Sequence, residues 1–473
     1  MVKIPSILAE VFLLNLFSGR FNFIEFKSLN FIKICIFKLY FISRENDLAL
    51  INFDFILKKK HNTFFFIIAL LFCTSVWTQT TTVCASCDIT TIHEALQQAS
   101  DGDTILVKKG IYKEANLKVN NSITLIGEDF PIIDGEEKGE VITIGADNVT
   151  LDGFKIINVG VSYTTDYAAV RVVNSEGFII QNLELEKLFF GIYLQKSKNG
   201  KVLNNKVKGE AVTEFNSGNA IHLWYCKDVE VRGNDVRKVR DGIYLEFSDN
   251  ISIIDNFSKN NIRYGLHFMF SNKNTVINNV FETNGAGIAL MFSKFMEVEN
   301  NIITKNWGTA SYGLLLKEVN DANLINNHFI ENTVGITVEG SNRLVYSNND
   351  FISNGYAIRV KGACYENQII DNNFLYNSFD ISYNGRINDN KFNNNFWSNY
   401  TGYDLDKDGI GDVPYRPVKL FSYIVNKTPE TIILLRSLFI DLIDFSEKVS
   451  PVFTPDDLMD ENPRMKRIEH DRN

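Results

Sequence analysis

The sequence predicts an all-β chain folded as a right-handed parallel β-helix with rungs of about 22 residues, an N-terminal helical cap and a C-terminal amphipathic helix. The first observation behind this is a recurring strand: Gly191-Ile-Tyr-Leu-Gln195, Gly242-Ile-Tyr-Leu-Glu246, Gly265-Leu-His-Phe-Met269, Gly287-Ile-Ala-Leu-Met291, Gly313-Leu-Leu-Leu-Lys317, Gly335-Ile-Thr-Val-Glu339 and Ala357-Ile-Arg-Val-Lys361. From Gly242 onward these strands begin 23, 22, 26, 22 and 22 residues apart. The second is a column of asparagines at the same step, Asn234, Asn256, Asn278 and Asn300, then Asn326 and Asn348 after the 26-residue rung. The third is an aromatic column, Phe281, Phe329, Phe351, Phe374 and Phe396, expected to face inward. A repeat this short cannot bury its apolar positions alone, so neighbours must stack into one continuous core. Parallel stacking sets equivalent residues about 4.8 Å apart, close enough for turn asparagines to form amide ladders. The hand is right because parallel crossovers almost always are.

Taken in chain order, residues 1–57 are rich in Phe, Ile, Leu, Lys and Asn without a full apolar span or an amphipathic period. They read as translated upstream sequence from a start placed too early, or as a divergent leader. Residues 58–80 have the order of a signal peptide: Lys58-Lys59-Lys60, the apolar run Phe64 to Cys73, then a small and polar stretch. The run is short for a transmembrane helix. The mature chain is therefore expected to begin near residue 80 and to be a soluble exported protein. Cys84-Ala-Ser-Cys87 follows; in an oxidising compartment a disulfide is the plain reading, with a metal or redox role as the alternative. Thr91-Ile-His-Glu94 has capping-box form, with Ile92, Ala95, Leu96 and Ala99 at helical spacing and His93 facing solvent. This helix and the strand Thr104 to Val107 make the expected cap, residues 83–110 of a β-helix spanning 83–400.

In each Gly-initiated strand the first and third residues after the glycine are apolar and point inward, so the second and fourth point out. One outward column runs Tyr193, His222, Tyr244, His267, Ala289, Leu315, Thr337 and Arg359; the other runs Gln195, Trp224, Glu246, Met269, Met291, Lys317, Glu339 and Lys361. The middle rungs thus gather His222, His267, Met269 and Met291 beside Trp224, Tyr244 and Glu246. Met269 and Met291 are expected on neighbouring rungs, with His267 and Met269 about 6.6 Å apart along one strand. Thioether plus imidazole suits Cu(I), and an open surface site would favour transfer over storage. The alternative is that these Met and His side chains merely cover a flat sheet or a protein interface. Cys226 and Cys364 are expected to be buried and inert.

Other function classes fit less well. A formal net charge of -9 argues against a nucleic-acid partner. Polysaccharide-cleaving β-helices need paired carboxylates or an acidic calcium cluster with a basic group alongside. Here the outward carboxylates are Glu246 and Glu339, four rungs or roughly 19 Å apart, so they cannot act as a pair. Carbohydrate binding or cleavage stays as the alternative function.

Beyond the stack, residues 401–427 hold Asp404-Leu-Asp406-Lys-Asp408-Gly409-Ile410-Gly-Asp412. Asp404, Asp406, Asp408, the Ile410 carbonyl and Asp412 match an EF-hand-like calcium loop, but Tyr415 stands where the bidentate Glu belongs. A weak calcium site and a calcium-free acidic turn both fit. Thr428-Pro429 starts an expected helix over 428–450, with Ile432, Leu435, Phe439 and Leu442 on one face. It should dock on the end of the stack, or contact a membrane-bound partner. Residues 451–473 read as a flexible tail.

At several points the residues resemble the NosD family of exported maturation factors for nitrous oxide reductase. The matching pieces are Arg263-Tyr-Gly-Leu-His-Phe-Met-Phe-Ser-Asn272, the Trp397 to Tyr415 segment, the C-x-x-C pair near the mature N-terminus, and Leu435-Arg-Ser-Leu-Phe439 with Glu447-Lys448. Together they span Val83 to Arg464. The resemblance implies a periplasmic, non-catalytic protein working with an ABC transporter (an ATPase and a permease), a copper-donating chaperone and the reductase, and meeting the membrane only through partners. It strengthens copper as the transient ligand of His267, Met269 and Met291, with His222 nearby. Trp224, Tyr244, Glu246 and Arg436 are the expected partner contacts.

Overall fold

The computed structural model describes residues 40–42, 48–50, 79–384, 387–435, 437–449 and 458–470. The chain divides into two units, Met1–Trp77 and Thr78–Asn473. In the first, Tyr40–Ile42 and Leu48–Leu50 pair antiparallel. The rest of the expected leader and nearly all of the expected signal peptide lie outside the described residues.

The second unit is a right-handed parallel β-solenoid. Among the described residues its three principal sheets have 14, 13 and 12 strands, and each strand pairs with its counterpart one rung away. The first sheet runs from Thr80–Val83 to Lys391–Asn393, the second from Ile111–Tyr112 to Phe396–Trp397, and the third from Leu117–Val119 to Phe379–Asn384. The stack thus begins inside the expected cap, because Thr80–Val83 already pairs in parallel with Thr104–Val107. The Gly-initiated strands all belong to the third sheet. Their glycines are required by close approach: a Cβ on Gly287 would lie 2.4 Å from the Gly313 carbonyl oxygen, and one on Gly335 2.5 Å from that of Ala357.

The polar interior is a ladder of asparagines, shifted from the expected one. From Asn205 the ladder climbs through Asn234, Asn256, Asn279, Asn301, Asn327, Asn349 and Asn372 to Asn395. In every step the backbone N–H and Nδ2 of one residue donate to Oδ1 of the next at 2.8–3.0 Å. Asn234 and Asn256 are in it, whereas Asn278, Asn300, Asn326 and Asn348 each sit one residue earlier, at φ of 54–58°. The bend needs a left-handed residue followed by a buried amide, and asparagine serves both positions. A second ladder runs Asn261, Asn284, Asn306, Asn332, Asn354 and Asn377. The inward aromatic column holds Phe281, Phe329, Phe351 and Phe374, all fully buried. It closes on Trp397 rather than Phe396: Phe374 pairs with Trp397, their rings 4.1 Å apart, and Phe396 pairs with Asn373.

Helix α1 (Ile92–Gln98) covers the N-terminal end. Thr91 Oγ1 accepts from the Glu94 N–H at 3.2 Å, while the Glu114 carboxylate, 20 residues on, accepts from the N–H groups of Ile92 and His93 at 2.8 Å each. His93 is exposed.

The C-terminal elements correct three expectations. Instead of one helix over 428–450 there are α2 (Leu420–Lys427), a 3-10 stretch Pro429–Leu434 and α3 (Leu438–Val449), separated where Leu435 turns to an extended ψ of 130°. Phe421, Val425 and Ile440 pack on Val334, Tyr356 and Phe379 of the third sheet, so these helices cover its outer side. Of the expected apolar face, Leu435 packs on this cluster, while Ile432, Phe439 and Leu442 are left 46%, 57% and 58% exposed. Within the expected flexible tail, residues 458–470 are docked. Asp460 Oδ2 ends the asparagine ladder, accepting from Asn395 N–H, Asn395 Nδ2 and Trp397 Nε1 at 2.9–3.0 Å. Further on, Arg467 Nη2 at 2.9 Å joins His328 Nδ1 at 3.2 Å on Oδ2 of buried Asp350, and His470 Nδ1 lies 3.5 Å from its Oδ1. These partners lie about a hundred residues back in sequence, beyond any local pattern.

Candidate metal-binding face

The register places both outward columns as expected. Tyr193, His222, Tyr244, His267 and Ala289 are successive partners, and so are Trp224, Glu246, Met269, Met291 and Lys317. Rung stacking converts the first column into a pile of alternating rings. Tyr193 and His222 lie 4.3 Å apart at 4°, His222 and Tyr244 4.7 Å apart, and Tyr244 and His267 4.6 Å apart.

This column is not an open surface, which corrects the first expectation for the site. His222 is 6% and His267 5% exposed, and Ala289 beside them is fully buried. The cover comes from a third column, the residue before each glycine or before the Ala220 that replaces one, which outward-face reasoning left out: Phe190, Asn219, Asp241, Tyr264, Ala286 and Tyr312, with Phe190 stacked on His222 at 5.9 Å. The Tyr264 and Tyr312 rings lie 6.5 Å apart with their hydroxyls 3.5 Å from each other, spanning the small rung of Ala286 and Ala289 between them. Tyr264 also tilts over His267 at 4.7 Å. The second column is half-buried throughout its middle rungs, so Met269 and Met291 are its accessible sulfurs.

Electrostatics within the face centre on Asp241, which is fully buried. Arg263 grips it with both nitrogens, Nε to Oδ1 at 2.9 Å and Nη2 to Oδ2. His267 Nδ1 lies 3.6 Å from Oδ2. Burial works to raise the Asp241 carboxyl, but His267 and Arg263 together hold it below the ordinary carboxylate value. His222 has no such partner: burial, helped by Arg240, pushes its imidazole down to about 3, so it is neutral. Both ring nitrogens of His222 and of His267 are buried without a hydrogen bond. An orphaned imidazole nitrogen is a costly arrangement unless something else takes it up. The Tyr244 hydroxyl, raised to about 12 by burial and then by Glu246, points at Met269 Sδ from 3.7 Å.

The expected partner contacts separate. Tyr244 belongs to the ring stack; Trp224 packs on the cluster of Ala168, Phe189, Phe190 and Tyr193, with Lys196 Nζ 5.4 Å over its ring; Glu246 is half-exposed. Arg436 lies outside the described residues. Cys84 and Cys87 are disulfide-bonded. Cys226 takes the place of a serine in a column where Ser248, Ser271 and Ser293 accept from successive backbone N–H groups, and burial raises its thiol to about 11. Cys364 is likewise buried.

In the acidic loop, carboxylate oxygens of Asp404, Asp406 and Asp408 converge within 4.8 Å of one another. Like charge from Asp408 and Asp412 helps raise Asp406 against the lowering hydrogen bond from the Asp408 N–H. Asp412 instead accepts from the Leu405 N–H at 2.7 Å, and Ile410 bridges to Arg464. Three of the five expected ligands are therefore gathered.

Residues 203–402 match the family model described as periplasmic copper-binding protein (NosD). A relative from Pseudomonas aeruginosa named probable ABC transporter binding protein NosD is 29% identical over 377 residues, covering 74% of this chain and 86% of that protein. One of the same name from Stutzerimonas stutzeri is 26% identical over 424 residues, covering 75% and 85%. Among solved structures, the periplasmic alginate epimerase AlgG is similar at a TM-score of 0.45 and 15% identity, over 61% of this chain and 76% of that one. The region matched by the family model takes in the rungs from His222 to Met291, and the two relatives align over about three quarters of this chain.

Proposed function

We propose that this protein is a non-catalytic accessory factor that receives Cu(I) at His267, Met269 and Met291 and passes it on for assembly of the copper centres of nitrous oxide reductase. The observation that carries the reading is the pairing of a buried imidazole lacking hydrogen bonds with two half-exposed thioethers on adjoining rungs. Imidazole and thioether form a soft, neutral ligand set that favours Cu(I) over divalent ions. His222, two rungs below His267, is a second neutral imidazole in the same pile. Partial burial leaves room for a ligand-exchange step in which a donor's thiolate or thioether meets the methionines first.

The relatives' name supports an ABC transporter as partner. Its dock in this reading is the open side of the C-terminal helices, where Ile433, Leu438, Phe439, Leu442 and Phe445 are exposed. Contiguous exposed apolar side chains of this kind mark a contact surface. The test for copper is a competitive Cu(I) titration of the folded chain against His267→Ala/Met269→Ala. Loss of at least about tenfold in affinity is expected, since two of three ligands go. Unchanged affinity would place the metal elsewhere.

A further inference from the structure

We infer that Asp241, clamped by Arg263, is the positioning residue that fixes the His267 imidazole with its proton on Nδ1 and its Nε2 lone pair free for the metal. The inference rests on the copper reading above and deepens it. Asp241 is fully buried and precedes Gly242 on the strand below His267, so the register itself sets its carboxylate beside the ring. Arg263 occupies it from one side with two hydrogen bonds, which stops the carboxylate from rotating away. His267 Nδ1 lies 3.6 Å from Oδ2, the same oxygen that accepts from Arg263 Nη2. That distance is slightly longer than a hydrogen bond, short enough for the carboxylate to select the tautomer and closing to bonding length with a small ring rotation.

Neighbours limit the ring to this orientation. Tyr244 stacks on one face at 4.6 Å and Tyr264 leans on it at 4.7 Å, while the next rung offers only Ala289, which has no polar group to compete for either nitrogen. His267 Nε2 is buried and has no hydrogen bond. His222 provides the internal contrast: it has the same ring stacking but no carboxylate against either nitrogen, so nothing fixes its tautomer. Carboxylate–imidazole–metal arrangements of this kind orient the ligand ring and increase its basicity, and losing the outer partner costs about 10- to 100-fold in metal affinity.

The test uses the full chain with 15N-labelled histidine, assigned by His267→Gln, in two-bond correlation spectra without metal. A predominantly Nδ1–H tautomer at His267 is expected in the parent protein, and a mixture in Asp241→Asn, where the charge that selects it is gone. An Nε2–H tautomer in the parent protein would overturn the assignment even if Asp241→Asn failed to fold. Competitive titration of Cu(I) should then show a fall of about 10- to 100-fold for Asp241→Asn; equal affinity, with the Nδ1–H tautomer intact in both, would also overturn it. Should the parent protein bind no Cu(I), the copper reading fails and the metal-positioning role fails with it, while the tautomer spectrum still reports separately whether Asp241 orients the ring.

Discussion

The interior and the outer face of the same rungs obey different rules. Inside, the asparagine ladder keeps one residue type and one bonding pattern over every step from Asn205 to Asn395. Outside, the register is equally strict, yet the column passes from Tyr and His to Ala, Leu, Thr and Arg within eight rungs. Where the repeat is kept, side chains serve stacking; where it changes, they are free to serve chemistry.

Breaking the inner rule should have the largest effect. Asn301→Ala removes the acceptor of the Asn279 N–H and Nδ2 and the donor to Asn327 Oδ1 and the Val276 carbonyl. Leaving several buried groups unpaired should cost about 3 kcal/mol or more, read as a lower midpoint in urea unfolding.

Next come two buried aspartates near the C-terminal end, with opposite signs. Burial opposes ionisation of Asp350, but His328, Asn373 and Arg467 hold its carboxyl at about 2. A depressed folded value contributes stability that is present above the ordinary value near 3.8 and is lost as pH falls toward 2, about 2 kcal/mol in all. Hydrogen exchange in residues 458–470 should rise across that window before the ladder opens. Asp380 is the reverse: burial raises it to about 6, so stability falls as pH rises from about 4 to 6. Asp380→Asn should therefore raise the thermal midpoint at pH 8 and change it little at pH 4.

The outer face should tolerate substitution. Met291→Leu keeps volume on a half-buried position, so stability should change by about 1 kcal/mol or less while Cu(I) affinity falls. Smallest of all is the effect of calcium on the Asp404–Asp412 loop. With the bidentate ligand replaced by Tyr415, millimolar Ca2+ should add less than about 1 kcal/mol, seen as a slight rise in thermal midpoint that Asp406→Asn removes.

Sequence periodicity made the fold, the rung length and both outward columns legible, because a 22-residue step is a statement about which residues are neighbours. It misplaced the asparagine ladder by one residue wherever two asparagines are consecutive, as at Asn278-Asn279 and Asn300-Asn301, since period alone cannot say which of the pair turns the chain. Burial of His222 and His267 was not legible: Phe190 stacks on His222, and Tyr264, whose hydroxyl meets that of Tyr312 across a rung, leans over His267. Asp241 lay in plain view before Gly242, and only side-chain distances reveal what it touches. The docking of Asp460 and Arg467 depends on contacts spanning about 65 and 117 residues, which no local pattern encodes.

X-ray absorption on the Cu(I)-loaded chain tests the central claim most directly. Two thioether sulfurs and one imidazole nitrogen around the metal are predicted, with one sulfur lost in Met291→Leu and the imidazole lost in His267→Ala. A shell of nitrogen and oxygen alone, or one unchanged by both substitutions, would contradict the assignment of copper to this face.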